Sequence, residues 1–208
     1  MNDTVPKLEQ GIDYKRLGFH TGMFVGMGGV MMVVLEALPE NATAWNKEEI
    51  RGVPLFKRWG DHVKAGPVID KDRAAFNYIL HPYAGAVYYQ AARGSGCNMW
   101  QLFLYCTFVS NVLWEYGFEA FNEIPSIQDL LITPIIGSVI GEGFYMAKRK
   151  IVSRNYNVFG KRWVGKTLCW VMDPFNEFAN IFLNKKDCVT SSFVYTKQYA
   201  AVNIRLTF

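Results

Sequence analysis

The feature that most constrains this chain is a group of three apolar segments, between residues 77 and 149, that each carry ionisable side chains at helical spacing. A charged side chain costs about 3 kcal/mol at the centre of a bilayer, so it is kept there only where it faces protein or water. The pattern therefore predicts helices that lie in a membrane and enclose a polar interior. It indicates where a function would reside, and it identifies no ligand or reaction.

Four segments have the length or the apolar character expected of membrane helices. Residues 17–38, 99–121 and 127–146 are each long enough to cross a hydrocarbon core. Residues 77–92 are shorter and rich in tyrosine, which predicts a tilted or re-entrant helix. In residues 201–208 apolar and polar side chains alternate, which is typical of a hairpin or edge strand and also of the last strand of an outer-membrane barrel.

These segments predict an all-α membrane protein, a bundle of about four membrane-embedded helices with a short C-terminal β hairpin or strand. The expected divisions are an N-terminal polar segment, a transmembrane helix, an extramembrane loop region, a helical membrane core, and a C-terminal amphipathic helix and strand region. They cover residues 1–16, 17–39, 40–76, 77–150 and 151–208.

Composition excludes several other classes of protein. The net charge is only +4, and the basic residues gather at segment ends without interleaved aromatic residues, so we expect no nucleic-acid partner. The cysteines are far apart and lack Cys-x-x-Cys spacing, which predicts free or buried thiols and neither a zinc site nor a disulfide framework. They are Cys97, Cys106, Cys169 and Cys188.

Other motifs of known chemistry are missing from the sequence. It contains no glycine-rich phosphate loop and no nucleophile in an elbow-like context, so nucleotide and acyl-enzyme chemistry are disfavoured and no cofactor is expected. The first ten residues are polar, so either the chain has no signal peptide or one was removed before this numbering begins. Basic residues flank the segments on one side, which predicts that both termini face the cytoplasm if the membrane is an energised inner membrane.

Polar and small residues form a stripe along each of the three segments, because they recur every four residues. The stripes are Asn77, His81, Gly85, Tyr89 and Arg93; then Asn111, Glu115 and Glu119; and then Asp129, Thr133, Gly137 and Gly141. Lipid penalises any packing that leaves the stripes exposed, so we expect them to turn toward one another. His81 and Arg93 would then face Glu115, Glu119 and Asp129.

Several of these residues also have ordinary structural explanations. Ser126 can cap the fourth segment, and Asp129 then lies in its electropositive first turn. Arg93 can extend to the lipid headgroups, or it can pair with a carboxylate from the third or fourth segment, with Glu115 or Glu119 as the expected partner.

Glu115 and Glu119 are harder to explain structurally. Two carboxylates one turn apart repel, so a cation or an arginine lies between them or one of them holds a proton with a raised pKa. The candidate catalytic residues are therefore His81, Glu115 and Glu119, and the candidate binding residues of the same polar cluster are Arg93 and Asp129. One histidine among carboxylates is a weak metal signature, so no metal is predicted.

Two sequence blocks carry a family resemblance: HPYAGAVYYQAARGSG, from residue 81, and WEYGFEAFNEIPSIQDLLITPIIGSVIGE, from residue 114. They are accompanied by Trp59, Asp70, Asp72, Asn77 and Asp173-Pro174. Over residues 59–180 the chain resembles an uncharacterised bacterial envelope family, the thirty-nine-forty-three domain of unknown function. A more distant likeness runs to VanZ-type glycopeptide-resistance membrane proteins. The resemblance implies a bacterial cell envelope location, in the inner or the outer membrane, and no established activity.

Two hypotheses from different classes remain. The leading one is a non-enzymatic structural or accessory subunit of an envelope complex, with membrane lipids and a protein as its partners. The alternative is a membrane-embedded lipid-handling protein or hydrolase. In it Glu115 or Glu119 acts as a base beside His81, while Arg93 holds an anionic headgroup phosphate.

Overall fold

The computed structural model describes residues 11–38, 52–69, 75–183, 189–195 and 200–206. Its elements are helices α1 (Tyr14–Ala37), α2 (Leu55–Ala65), α3 (His81–Gly94), α4 (Met99–Thr107), α5 (Ile127–Ser153), α6 (Arg162–Met172) and α7 (Pro174–Leu183), and strands β1 (Val189–Tyr195) and β2 (Ala200–Leu206). A π-helical stretch, Phe76–Leu80, leads into α3; a second, Phe108–Phe118, follows α4 and ends in a 3-10 turn, Glu119–Phe121. Parts of the predicted N-terminal segment and loop region lie outside the described residues.

Side-chain caps explain where several helices begin. Asp13 accepts a hydrogen bond from the backbone N–H of Arg16 at the start of α1. Asn98 and Gln101 form a reciprocal capping box at the start of α4. Ser126 accepts from the backbone N–H of Asp129 at 3.2 Å, which confirms the predicted cap of α5.

Helix α3 is the centre of the fold. Its residues from Gly85 to Ala92 are buried without interruption. One apolar cluster joins α3 to Phe24 of α1 and to Val109, and a second joins it to Leu102 of α4. The segment predicted to be a tilted or re-entrant membrane helix is thus the helix that the rest of the chain covers.

Helices α3 and α5 lie side by side in contact through glycines. A Cβ atom on Gly137 would lie 2.5 Å from the Cα of Gly85, and one on Gly141 would lie 2.7 Å from the ring of Tyr89. The two helices run parallel, because the start of α3 meets the start of α5 and the end of α3 meets the later turns of α5. The glycines of the two stripes therefore fix a close backbone approach.

The prediction of about four membrane-embedded helices is wrong. In the described residues two helices are long and apolar enough to cross a membrane by length and composition, Tyr14–Val34 within α1 and Ile127–Ser153, which is α5. Core helices of soluble proteins and signal sequences meet the same test. The expected span over residues 99–121 is instead divided among an α-helix, a π-helix and a 3-10 turn.

The C-terminal part of the chain contains two strands, where the sequence predicts a short β hairpin or a strand. β1 and β2 pair antiparallel, with Val189 opposite Leu206 and Tyr195 opposite Ala200. Residues 196–199, which would close a hairpin, lie outside the described residues, so the expected hairpin is not shown.

Candidate functional site

One polar cluster lies where α3 and α5 begin, and we call it the acidic cluster: His81, Glu115, Glu119 and Asp129. The Nδ1 atom of His81 lies 3.5 Å from an oxygen of Asp129 and 3.2 Å from the hydroxyl of Thr133. Asp129 and Thr133 are buried, and the side chain of His81 is largely so. The predicted meeting of the first and third stripes is confirmed at this end.

Glu115 joins the acidic cluster from the π-helical stretch after α4. Its carboxylate accepts a hydrogen bond from the backbone N–H of Ser126, the cap of α5. Glu115 is only 2% exposed, and its burial raises its pKa to about 8, although the Ser126 bond acts in the opposite direction. The carboxyl group therefore ties the preceding stretch to the first turn of α5.

Glu119 completes the acidic cluster from the 3-10 turn. Burial raises its pKa well above the usual value, and the negative charges of Glu115 and Glu123 raise it further. One oxygen of Glu119 is enclosed without a hydrogen-bond partner in the described part of the chain. The raised pKa favours the protonated form of Glu119, because burial and the neighbouring carboxyl groups both disfavour a negative charge there.

Arg93 lies at the other end of α3, in a second cluster that we call the balanced cluster: Tyr89, Arg93, Glu142 and Tyr145. Its guanidinium is 3.3 Å from an oxygen of Glu142 and lies 4.1 Å from the ring centroid of Tyr145. The hydroxyl of Tyr89 donates to the other oxygen of Glu142 at 2.5 Å. Arg93 does meet a carboxylate from the fourth segment, as predicted, but Glu115 and Glu119 were the wrong partners.

The balanced cluster continues into an ion-pair group that sequence reasoning missed. Lys148 is buried on α5, and its Nζ lies 2.7 Å from Asp173 and 2.6 Å from Glu177. The signal was present in the sequence, because Tyr145 lies four residues after Gly141 and Lys148 lies three residues after Tyr145, which places both on the face of the stripe. From the sequence alone, Lys148 belongs with Arg149 and Lys150 to the basic residues that flank the segment.

Asn176 connects this group to the neighbouring helices. Its amide nitrogen donates to the backbone carbonyl of Gln90 at 2.6 Å and to Asp173 at 2.9 Å, and its oxygen accepts from Arg16 at 2.9 Å. Arg16 also donates to Asn180 at 2.7 Å. These bonds fix α1, α3 and α7 to one another at the balanced end.

The acidic cluster can hold a proton, but it is not arranged as a nucleophilic triad. A triad needs the carboxylate on one imidazole nitrogen and the hydroxyl on the other. Here Asp129 and Thr133 both lie against Nδ1 of His81. Among the residues that the structure describes, no group of three or more His, Cys, Asp or Glu side chains could hold a metal ion.

Cys97, Cys106 and Cys169 are buried free thiols, as predicted, and Cys188 lies outside the described residues. Burial raises the pKa of the Cys106 thiol to about 12, so it is un-ionised at neutral pH.

Comparison with known proteins places the chain in a family. The model of a family described as Domain of unknown function (DUF3943) matches residues 66–175. That range contains the acidic cluster and the balanced cluster. Arg16, Asn176, Glu177 and Asn180, which belong to the adjoining polar group, lie outside it. No curated protein and no solved structure matches the chain. The chain therefore belongs to the DUF3943 family.

Proposed function

We propose that this chain is an integral membrane protein of the bacterial cell envelope and acts as a non-enzymatic structural or accessory component of an envelope complex. The strongest support is what the shielded ionisable side chains of α5 do. Asp129, Glu142 and Lys148 each pair with a side chain of another element. Charges engaged in this way hold helices together, and removing one partner would leave the other uncompensated.

The membrane assignment is supported by the surfaces of α1 and α5. Only 17% of the apolar window of α1 and 28% of that of α5 are buried within the protein. Val33 and Val139, for example, are 71% and 70% exposed. A core helix of a soluble protein would be mostly buried, so these apolar faces are better suited to lipid or to a partner helix.

A second candidate function is lipid handling or hydrolysis by the acidic cluster. The raised pKa values of Glu119 and Glu115, with His81 in the same cluster, favour it. The residue proposed to hold a headgroup phosphate, Arg93, is however twelve positions from His81, which is about 18 Å along a helix. Arg93 therefore does not form one site with His81, Glu115 and Glu119, and we favour the structural role.

Alkaline carbonate extraction of membranes tests the proposal. The chain should remain in the membrane pellet and be released by detergent. Val139→Arg, on the exposed face in the middle of α5, should lower the membrane-integrated fraction, because a charge there would face hydrocarbon. Ile69→Arg is the matched control, since Ile69 is 74% exposed and lies outside both candidate spans.

Two results would contradict the proposal. One is release of the wild-type chain by carbonate alone. The other is a Val139→Arg variant that integrates as well as the Ile69→Arg control.

A further inference from the structure

A strongly basic surface lies at the C-terminal end of α5. It meets the balanced cluster at Arg149, whose guanidinium lies 5.7 Å from the ring centroid of Tyr145. The sequence contains no acidic residue between Glu142 and Asp173. Six basic side chains in this interval are exposed: Arg149, Lys150, Arg154, Lys161, Arg162 and Lys166. Such a concentration of one sign of charge attracts an anionic partner.

A tight turn in the same interval holds a phenylalanine out from the protein. The backbones of Val158 and Lys161 bond to each other, and the two residues between them have positive φ, 50° for Phe159 and 75° for Gly160. Positive φ at both central positions is the pattern of a type I′ turn, where Asn and Gly are favoured and a bulky residue is strained. Phe159 is nevertheless 91% exposed, so packing within the protein does not explain its presence.

Helix α6, which follows the turn, displays two tryptophans in the same way. Gly165, Cys169 and Met172 are buried and form the face that packs on the protein. Trp163 and Trp170 are seven residues apart on the opposite face, and they are 65% and 42% exposed. Exposed tryptophans beside basic residues are typical of the boundary between lipid and water.

The length of α5 brings this surface to that boundary. Its 27 residues span about 40 Å, which equals a bilayer with its headgroup layers. We infer that the six basic residues, with Phe159, Trp163 and Trp170, form a docking surface for the headgroups of anionic phospholipids at the end of α5. The basic residues bind the phosphates and the aromatic side chains insert at the level of the headgroups. This inference rests on the proposed membrane location.

Lipid selectivity tests the charged part of the surface. The chain, purified in detergent, is titrated with phosphatidylglycerol or phosphatidylcholine, and bound lipid is measured by native mass spectrometry. Wild type should prefer phosphatidylglycerol, and Lys161→Gln/Lys166→Gln should lose about thirtyfold of that preference, since each basic residue near an anionic surface contributes about fivefold. The matched control is Lys57→Gln/Lys64→Gln, which removes two exposed charges from α2.

The aromatic part is tested in bilayers. In nanodiscs with brominated phosphatidylglycerol, the emission of Trp163 and Trp170, taken as the difference between wild type and Trp163→Phe/Trp170→Phe, should be quenched. Phe159→Asn should be at least as stable to heat as wild type, because asparagine tolerates positive φ, yet should bind phosphatidylglycerol more weakly.

Three results would overturn the inference: equal binding of both lipids by wild type, unquenched tryptophans, or displacement of the lipid by inorganic phosphate or by a duplex oligonucleotide. Carbonate extraction separates this outcome from failure of the proposed function. A chain that stays in the membrane without lipid selectivity contradicts the docking surface alone. A chain that is extracted but still selects phosphatidylglycerol vesicles contradicts the proposed span alone.

Discussion

The two ends of the α3–α5 pair stabilise their buried ionisable side chains in different ways. At the balanced end, Arg93 faces Glu142, and Lys148 faces Asp173 and Glu177, so buried charges of opposite sign meet. At the acidic end, carboxyl groups outnumber the available cations.

The acidic end is stabilised by a retained proton and by backbone bonds in place of ion pairs. The raised pKa of Glu119 favours its protonated form, and Glu115 accepts a hydrogen bond from the backbone N–H of Ser126, the cap of α5. The difference teaches that ionisable residues in an apolar helix pair need not be catalytic: one end uses pairing and the other uses protonation to avoid an uncompensated buried charge.

The largest expected effect on stability comes from removing the buried cation Lys148 at the balanced end. Lys148→Met should lower the free energy of unfolding in detergent by about 3–5 kcal/mol, because it leaves two buried carboxylates without their cation. Lys150→Met is the control, since Lys150 is exposed on the same helix, and it should change stability by no more than about 0.5 kcal/mol. Equal stability of the two variants in thermal unfolding would show that Lys148 is not a structural cation.

A smaller effect is expected from separating the helices that connect the two ends. Gly137→Ala should cost about 1–3 kcal/mol, because its Cβ would collide with the backbone of Gly85. Gly143→Ala on the same helix has open space and should be neutral or stabilising. Chemical unfolding of both variants measures the difference, and a harmless Gly137→Ala would contradict the close approach of α3 and α5.

The acidic end predicts a dependence of stability on pH. The folded state holds the protons of Glu119 and Glu115 more tightly than the unfolded chain, which loses them near pH 4.5, so the folded state binds more protons above that pH. The free energy of unfolding should therefore fall as the pH rises from about 4.5 toward 8, by at most about 1.4 kcal/mol per pH unit for one proton.

Glu119→Gln sharpens the same test, because glutamine resembles the neutral acid and cannot ionise. It should remove the share of the slope above pH 4.5 that Glu119 contributes and leave the share of Glu115, whereas Glu142→Gln at the balanced end should keep the whole slope. Unfolding curves recorded across this pH range give the slopes. A slope in Glu119→Gln as steep as that of wild type would contradict a retained proton on Glu119.

Local chemistry made part of this arrangement predictable from the sequence. The Ser126 cap, the position of Asp129 in the first turn and the approach of His81 to Asp129 all follow from residue type and i+4 spacing. The partner of Arg93 did not follow, because a stripe of residues does not reveal whether two helices run parallel or antiparallel. The parallel arrangement places Arg93 beside Glu142, at the opposite end of α3 from the acidic cluster.

The number of membrane spans could not be predicted from the lengths of the apolar segments, because the sequence does not show where the type of helix changes. The backbone of residues 99–121 changes from α-helix to π-helix near Phe108, where hydrogen bonds join residues five apart. The i+4 spacing that aligned Asn111, Glu115 and Glu119 on one face does not hold in such a stretch. A pattern of residue types contains no signal for this change of helix.

The central claim is that the ionisable residues hold the helices together and do not perform chemistry. The most direct test compares folded membrane abundance with cellular phenotype for His81→Gln, Glu115→Gln and Glu119→Gln in a strain that lacks the natural protein. If the claim is correct, each variant complements in proportion to its folded abundance, and Glu115→Gln loses abundance because the hydrogen bond from the cap of α5 to its side chain is weakened, by about 1–3 kcal/mol. A variant that is as abundant and as stable as wild type but fails to complement would contradict the claim.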